Sequence, residues 1–439
     1  MNVETGNLTL TDPTSDAEGI NESAVCDATP SDITIVTYPF ITSNAASTWA
    51  PDSNSYGTDA AVLAYGTAAT QNSGATITIN DDGAGDPGSI STSQNNSSGV
   101  VASMGGTVNI TDTIINTSGN YAFALDATYA GSLNINNVVA NTTGDNSSVI
   151  ASGIGSGFVT VAGGTYIATS NGLRSSGIRA AGTGSTINVT DGTGSGTSIT
   201  ALNGSAAVIE GGNTVTISSN GSTSLSAAAG EQNNGIFLYQ GTLGDATAGT
   251  STFSMTNGSI SYTCDATATP SCAGTGTPSD QNIPATVFAA TNTTAIINLT
   301  DVIVINNTPY NPLSGPEDTN GTLLTSAALS QAAGGNVTFN AFGETLTGDI
   351  IVDAISSANL NLAADSASSP VSSTLTGAIN AANSGGTINL TLDATSSWVA
   401  ANGSSYLTTL TGPGALNVSC LNSGQCSVYV AGVLQTSIQ

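Results

Sequence analysis

Along most of this chain aliphatic residues stand two apart with one polar residue between them, as in Gly-Gly-Thr-Val-Asn-Ile-Thr-Asp at 105–112 and Gly-Gly-Thr-Ile-Asn-Leu-Thr-Leu-Asp at 385–393. Twelve such pairs can be read: Ile77/Ile79, Val108/Ile110, Leu133/Ile135, Val159/Val161, Ile187/Val189, Val215/Ile217, Phe253/Met255, Ile297/Leu299, Val337/Phe339, Leu360/Leu362, Ile388/Leu390 and Leu416/Val418. Most recur every 25–28 residues, and three longer intervals interrupt the series. A fixed period of this length marks a solenoid carrying insertions.

Each period holds two further apolar segments. One precedes the main pair, as in Gly-Val-Val-Ala at 99–102 and Ala-Val-Ile-Glu at 207–210; the other follows it, as in Thr-Ile-Ile-Asn-Thr-Ser at 113–118 and Val-Val-Ala-Asn-Thr-Thr at 138–143. Three strands in so short a period leave no room for a crossover helix, so the chain must turn corners at Gly, Asn and Ser. Stacked three-strand coils make an all-β parallel β-helix. Side chains alternate across a strand, so the aliphatic pairs face inward and Asn109, Asn134, Asn188, Asn298, Asn361, Asn389 and Asn417 face solvent. Residues 1–70, with Cys26 and Trp49, are expected to form an N-terminal cap and irregular first coils. Residues 71–345 are the main β-helix, with inserts at about 218–252, 256–296 and 300–336, and 346–439 are C-terminal coils and cap. Prolines 270, 278, 284, 309, 312 and 316 cluster in the last two inserts, the first place to look for binding.

Composition narrows the partners. The 439 residues carry 29 acidic side chains, two basic ones (Arg174 and Arg179), no lysine and no histidine, for a formal charge of −27. Phosphate backbones are repelled, so nucleic acid is excluded as a partner. The near absence of lysine and arginine also removes cleavage sites for trypsin-like proteases, which suits an extracellular protein. Four of the five cysteines fall in two close pairs, Cys264 with Cys272 and Cys420 with Cys426. Local disulfides are expected, and with them an oxidising compartment; Cys26 is left over. No apolar run is long enough for a transmembrane helix, and the opening MNVETGNLTLTD is not a signal peptide, so a removed leader is expected.

The cadence SSGVVASMGGTVNITD at 97–112 and the segment TLTGAINAANSGGTINLTLDATSSWVAANGSSYLTTLTG at 374–412 resemble the right-handed β-helix of secreted adhesins, above all autotransporter passenger domains and their pectin-lyase-like relatives. The resemblance covers roughly residues 71–420, and Trp398 with Tyr406–Leu407 resembles the late coils of such passengers. It implies a right-handed coil and a surface-exposed or secreted location. It implies no single activity, because the architecture hosts adhesins, lyases and structural fibres.

Candidate chemistry is sparse. Without histidine there is no Ser-His-Asp or Cys-His catalysis, and without lysine few general bases remain. Asp81, Asp82 and Asp86 in INDDGAGDPG fit either a carboxylate pair or calcium ligands, or simply a solvated turn. The Gly-His-Gly and Arg-x-Lys expected of polygalacturonases are missing. Arg179, between Ile178 and Ala180, is expected to face outward and pair with a carboxylate. Phe237 and Tyr239 alternate with aliphatics, either as an exposed stacking platform for a sugar or beneath a covering insert. Twenty Asn-x-Ser/Thr sequons include Asn109, Asn188, Asn298, Asn336, Asn389 and Asn417, which would carry glycans in a glycosylating organism and otherwise form polar ladders. No catalytic residue, metal or cofactor is assigned. The expected function is a secreted or cell-surface adhesin or stalk, not an enzyme, whose partner is a glycan or protein on a host or neighbouring cell. A self-associating fibre subunit is the first alternative and a polysaccharide lyase or hydrolase the second.

Overall fold

The computed structural model describes residues 2–3, 8–11, 14–17, 23–27, 32–36, 40–43, 56–80, 87–163, 166–191, 196–228, 234–241, 246–263, 285–307, 321–328, 333–436 and 438. The chain is a right-handed parallel β-helix built of three-strand coils. It divides into two compact units, one of residues 1–224 with 241–247 and the other of 225–240 with 248–439.

In the first unit each coil contributes one strand to each of three walls. Val62–Tyr65, Val100–Ser103, Leu125–Ala127, Ile150–Ser152, Ile178–Ala180 and Ala207–Glu210 form the first wall. Thr76–Asn80, Thr107–Thr111, Gly131–Asn136, Gly157–Ala162, Thr186–Thr190 and Thr214–Ser218 form the second. Gly88–Thr92, Thr113–Thr117, Val139–Thr142, Tyr166–Ser170 and Thr197–Ala201 belong to the third. Every pairing is parallel, and coil stacking reaches back to strands at Leu8–Thr11 and Asp32–Val36, the latter in register with Thr76–Asn80.

The inner face follows from the alternation. The first eleven of the twelve aliphatic pairs are at most 2% exposed. Each such side chain removed from water contributes about 1.5–3 kcal/mol, and stacking like on like keeps the ladder unbroken. Corners bury polar groups as well, and in two successive coils a serine there is hydrogen-bonded across the stack, whereas Ser205 Oγ one coil further has no partner. Ser147 Oγ donates to Gly119 O at 2.9 Å and accepts from Ala122 N at 3.0 Å, and Ser175 Oγ repeats this one coil on, donating to Gly144 O at 2.9 Å and accepting from Ser147 N at 2.9 Å. The same corner is why glycine recurs there: a Cβ on Gly144 would lie 1.9 Å from the Gly119 carbonyl oxygen.

The first wall departs from simple alternation, because both of its faces are covered. Leu63 and Val101 point away from the inner row yet pack with Ala60, Cys26 and Tyr65, and Tyr56 stacks on Tyr129 with ring centroids 4.8 Å apart. The segment 56–61 thus lies over the outside of that wall. Cys26 is a half-buried free thiol, pushed up by burial and by Asp27.

In the second unit Asn234–Tyr239, Thr286–Thr291, Thr322–Ala327 and Asp349–Val352 form the first wall. Thr250–Thr256, Thr294–Thr300, Asn336–Phe342, Ser357–Ala363, Thr387–Leu392 and Thr409–Thr411 form the second. Ser259–Thr263 and Ile303–Asn307 pair in the third. Trp398 is fully buried and its Nε1 donates to Gly377 O at 2.9 Å. The last strands, Gly403–Leu407 and Cys426–Val430, pair in parallel, and Val433–Leu434 folds back antiparallel on Cys426–Val430. The Cys420–Cys426 disulfide joins the end of Val418–Cys420 to the start of Cys426–Val430.

One sequence pair is corrected. Leu416 and Val418 are not a twelfth inward pair: Leu416 is 89% exposed and sits in the short 3-10 turn Pro413–Leu416. The second-wall strand of that coil is Thr409–Thr411, with Leu410 opposite Leu390. The last coil is therefore only 20 residues long, and a 28-residue step overshoots it into the proline turn. Asn417 is accordingly no wall residue; its Nδ2 donates to Ala394 O and Ser396 O at 3.1 Å. A second adjustment is smaller. Phe339 pairs with Ile297 and Val337 with Ala295, a shift of two that keeps every side chain on its face.

Candidate functional site

The corner from third wall to first is the one whose length differs most between coils. In the first unit it spans seven residues in three successive coils, between Thr117 and Leu125, Thr142 and Ile150, and Ser170 and Ile178. In the second unit it lengthens to 22 residues between Thr263 and Thr286, and to 14 between Asn307 and Thr322. The strands on both sides keep exact parallel register through the two excursions. Two long segments therefore leave the same corner one coil apart, roughly 4.8 Å from each other at their roots. Beside those roots the strand Ile303–Asn307 exposes Ile303 (65%) and Ile305 (42%), where the preceding coil has Ser259 and Ser261 in register.

Several sequence candidates fall in stretches that the described residues do not include: Asp81, Asp82, Asp86, Trp49, Cys264, Cys272 and all six prolines of the 270–316 cluster. The expected inserts at 256–296 and 300–336 contain coil strands, and the longest segments between those strands are 264–285, 308–321 and 328–335.

Phe237 faces away from the inner row, which Ile236 joins by pairing with Phe288, and is only 3% exposed. Its ring lies parallel to Tyr239, centroids 4.8 Å apart, and Tyr239 is half-buried. A sugar could reach Tyr239 from solvent; it could not stack on Phe237.

Arg179 occupies the outer row of the first wall, Val101–Asp126–Ala151–Arg179–Val208 in register. Its Nη2 lies 3.9 Å from Glu210 Oε2. Asp126, in the same row, is 1% exposed and leaves Oδ1 without a hydrogen bond. Burial pushes its carboxyl up to about 7, against the Arg179 charge, which pulls the other way. Arg174 sits at a corner in the left-handed region, with φ 56°.

A group that pattern reading passed over lies at the second-to-third corner of the second unit. Glu344 is buried; its Oε1 accepts from Val302 N at 2.8 Å, its Oε2 is unpaired, and burial, with the Asp301 charge adding, pushes it up to about 7. Asp301 is raised by burial and by a carboxyl-to-carboxyl hydrogen bond with Asp365. The sequence marks Asp301 but not Glu344: aliphatic-Thr-Asp at 110–112, 189–191 and 299–301 places an aspartate just past a second-wall strand. Among the described residues no group of three or more Asp, Glu, Cys or His side chains is arranged to hold a metal ion.

The asparagine rows are hydrogen-bonded. On the second wall Asn298 Nδ2 reaches Ser254 Oγ at 2.9 Å, Asn340 reaches Asn298 Oδ1 at 2.8 Å and Asn361 reaches Asn340 Oδ1 at 2.8 Å. Asn389 donates to Asn359 Oδ1 at 2.8 Å, whereas Asn336 accepts from Ser357 Oγ at 2.9 Å.

The fold and the lengthened corner define a β-helical solenoid that carries excursions on one edge. No protein-family model matches the chain. No curated protein and no solved structure matches it either. Among the described residues no helix is long and apolar enough to cross a membrane.

Proposed function

We propose that this chain is a secreted or cell-surface adhesin or stalk of the β-helix type, in which the coils serve as scaffold and the segments 264–284 and 308–320 make the contacts. The observation that carries this reading is the lengthening of one corner in two successive coils whose strands stay in register. A loop that merely reversed the chain needs seven residues here, as the first unit shows, so the additional length serves something other than closure. Exposed Ile303 and Ile305, on the strand that leads into the second loop, add apolar contact area. The autotransporter-like resemblance and the scarcity of protease sites support an extracellular setting. The partner is a glycan or protein of a host or neighbouring cell surface, and no part of the reading calls for catalysis. Labelled chain applied to cell surfaces and to glycan arrays tests it: saturable binding is expected, and absence of binding to every surface contradicts it.

A second reading, a self-associating subunit, rests on the last coil. Residues 394–439 contain no charged side chain in a chain of charge −27, and Leu416, Leu421, Val433 and Leu434 there are 45–89% exposed. Sedimentation that shows only monomers at high concentration removes this reading.

A further inference from the structure

The outer face of the second wall in the first unit is an uncharged grid. Its middle row runs Thr78, Asn109, Asn134, Thr160, Asn188 and Thr216, one residue per coil, in unbroken register across six strands. Rows two residues to either side are again mostly threonine, asparagine and serine, and none of the outward positions on these six strands carries a charge. The acids stand at the rim, with Asp112 and Asp191 just past the ends of their strands. Asn134, Thr160 and Asn188 are exposed.

Part of the grid is also held in place by its own hydrogen bonds. Asn134 Nδ2 donates to Asn109 Oδ1 at 2.8 Å, Asn109 Nδ2 to Thr78 Oγ1 at 3.3 Å, and in the adjoining row Asn136 Nδ2 to Ala162 O at 2.7 Å. A partner thus meets hydroxyls and amides already ordered, which reduces the entropy that binding must offset. The spacing is about 4.8 Å from coil to coil and about 6.7 Å along a strand.

We propose that this face is a second binding surface, separate from the corner loops, and that its ligand is an extended, uncharged polysaccharide lying across the strands. Three properties select that class. The ligand must be polar, since the grid offers hydroxyls and amides. It must be uncharged, since no wall group compensates a charge and the acidic rim repels anions. It must repeat, because the wall offers like groups once per coil, about every 4.8 Å, and a polymer of like units meets successive rungs in the same way. The wall has no exposed aromatic platform in the middle row, so each sugar is held weakly and affinity comes from many rungs engaged together. Short oligosaccharides therefore bind poorly, and polymers bind well. The proposal deepens the adhesin reading, and it stands or falls apart from the loops.

The test uses the whole chain with microcrystalline cellulose and chitin as neutral probes and pectate as the acidic one, in sedimentation assays. Thr160→Glu and Thr160→Arg place either sign of charge in the centre of the grid, and circular dichroism melting checks that both fold. Expected is retention on at least one neutral polymer, none on pectate, no competition by monosaccharides, and at least a tenfold loss with either variant. Equal binding by the folded variants, binding to pectate as well as to neutral polymer, or no retention on either neutral polymer overturns the proposal. A variant with 264–284 and 308–320 shortened separates the two readings: it keeps polymer retention if the wall binds and loses cell binding if the loops do.

Discussion

Asn134 donates its side-chain amide to Asn109 across one coil, Nδ2 to Oδ1 at 2.8 Å, and Asn109 hands the same bond on to Thr78. The central residue is thus both acceptor and donor. Asn109→Ala removes both bonds at a half-exposed site and is expected to cost about 1 kcal/mol. Denaturant melts of the variant against the parent measure it, and Asn109→Asp, which keeps only the acceptor, should fall between. Because these amides are committed to the ladder, glycan attachment in a glycosylating host should favour turn sequons such as exposed Asn220 over Asn109, Asn298 and Asn389; glycopeptide mapping reads the preference.

Two inward tyrosines bury hydroxyls that find no partner. Tyr166 and Tyr262 are fully buried, their hydroxyl oxygens make no hydrogen bond, and burial raises both well above the ordinary phenol range. Removing an unsatisfied polar group relieves its desolvation cost, roughly 1–3 kcal/mol. Tyr166→Phe and Tyr262→Phe are therefore expected to raise the melting temperature, an unusual direction for core substitutions. A drop in both melts would show that the hydroxyls are satisfied in solution.

Stability should depend on pH in two opposite ways. Asp126 and Glu344 are pushed up to about 7, so the folded chain holds protons that the unfolded chain releases near pH 4. Their effect is to lower stability as pH rises from about 4 through about 7. Asp393 is the reverse: burial works against its charge, but hydrogen bonds from Ala364 N, Ser396 and Thr395 hold it down to about 2, so its stabilisation is present above about pH 4 and lost below. The melting temperature is expected to peak near pH 4. Asp126→Asn should raise it at pH 8 and leave it nearly unchanged at pH 4; an equal shift at both values contradicts the assignment.

Gly144 stacks over the Gly119 carbonyl with no space for a methyl group. Gly144→Ala must push successive corners apart and is expected to cost about 2 kcal/mol or more, within the range for overpacking. Gly184, with nothing within 4 Å of an added Cβ but φ at 68°, should lose less on the same change, about 1 kcal/mol from backbone strain alone.

The coil was legible because one rule writes it: an aliphatic, a polar and an aliphatic residue per second-wall strand at a near-constant period. Val108 and Ile110 inside with Asn109 outside follow from side-chain alternation alone. Leu416 was misplaced because extrapolating a period says nothing of a coil that shortens, although Pro413 marked the break. The covered outer face of the first wall needed a different cue. Val62–Tyr65, Val100–Ser103 and Asn234–Tyr239 are non-alternating runs, the pattern of strands buried on both sides. That cue would have placed Phe237 under cover. The carboxyl group of Glu344 was not legible at all, since its burial depends on a corner contact with Val302 one coil away.

In the proposed function, contact is made by the segments 264–284 and 308–320 and the coils are their scaffold. The most direct test of that role replaces 264–284 and 308–320 by short Gly-Ser turns of about seven residues, the length that the same corner uses in the first unit. Surface binding of this variant is then measured beside the parent, with thermal melting as the check on folding. An unchanged melt with loss of cell-surface binding is the predicted result. Undiminished cell-surface binding by the folded, loop-shortened chain would contradict the assignment of contact to that corner.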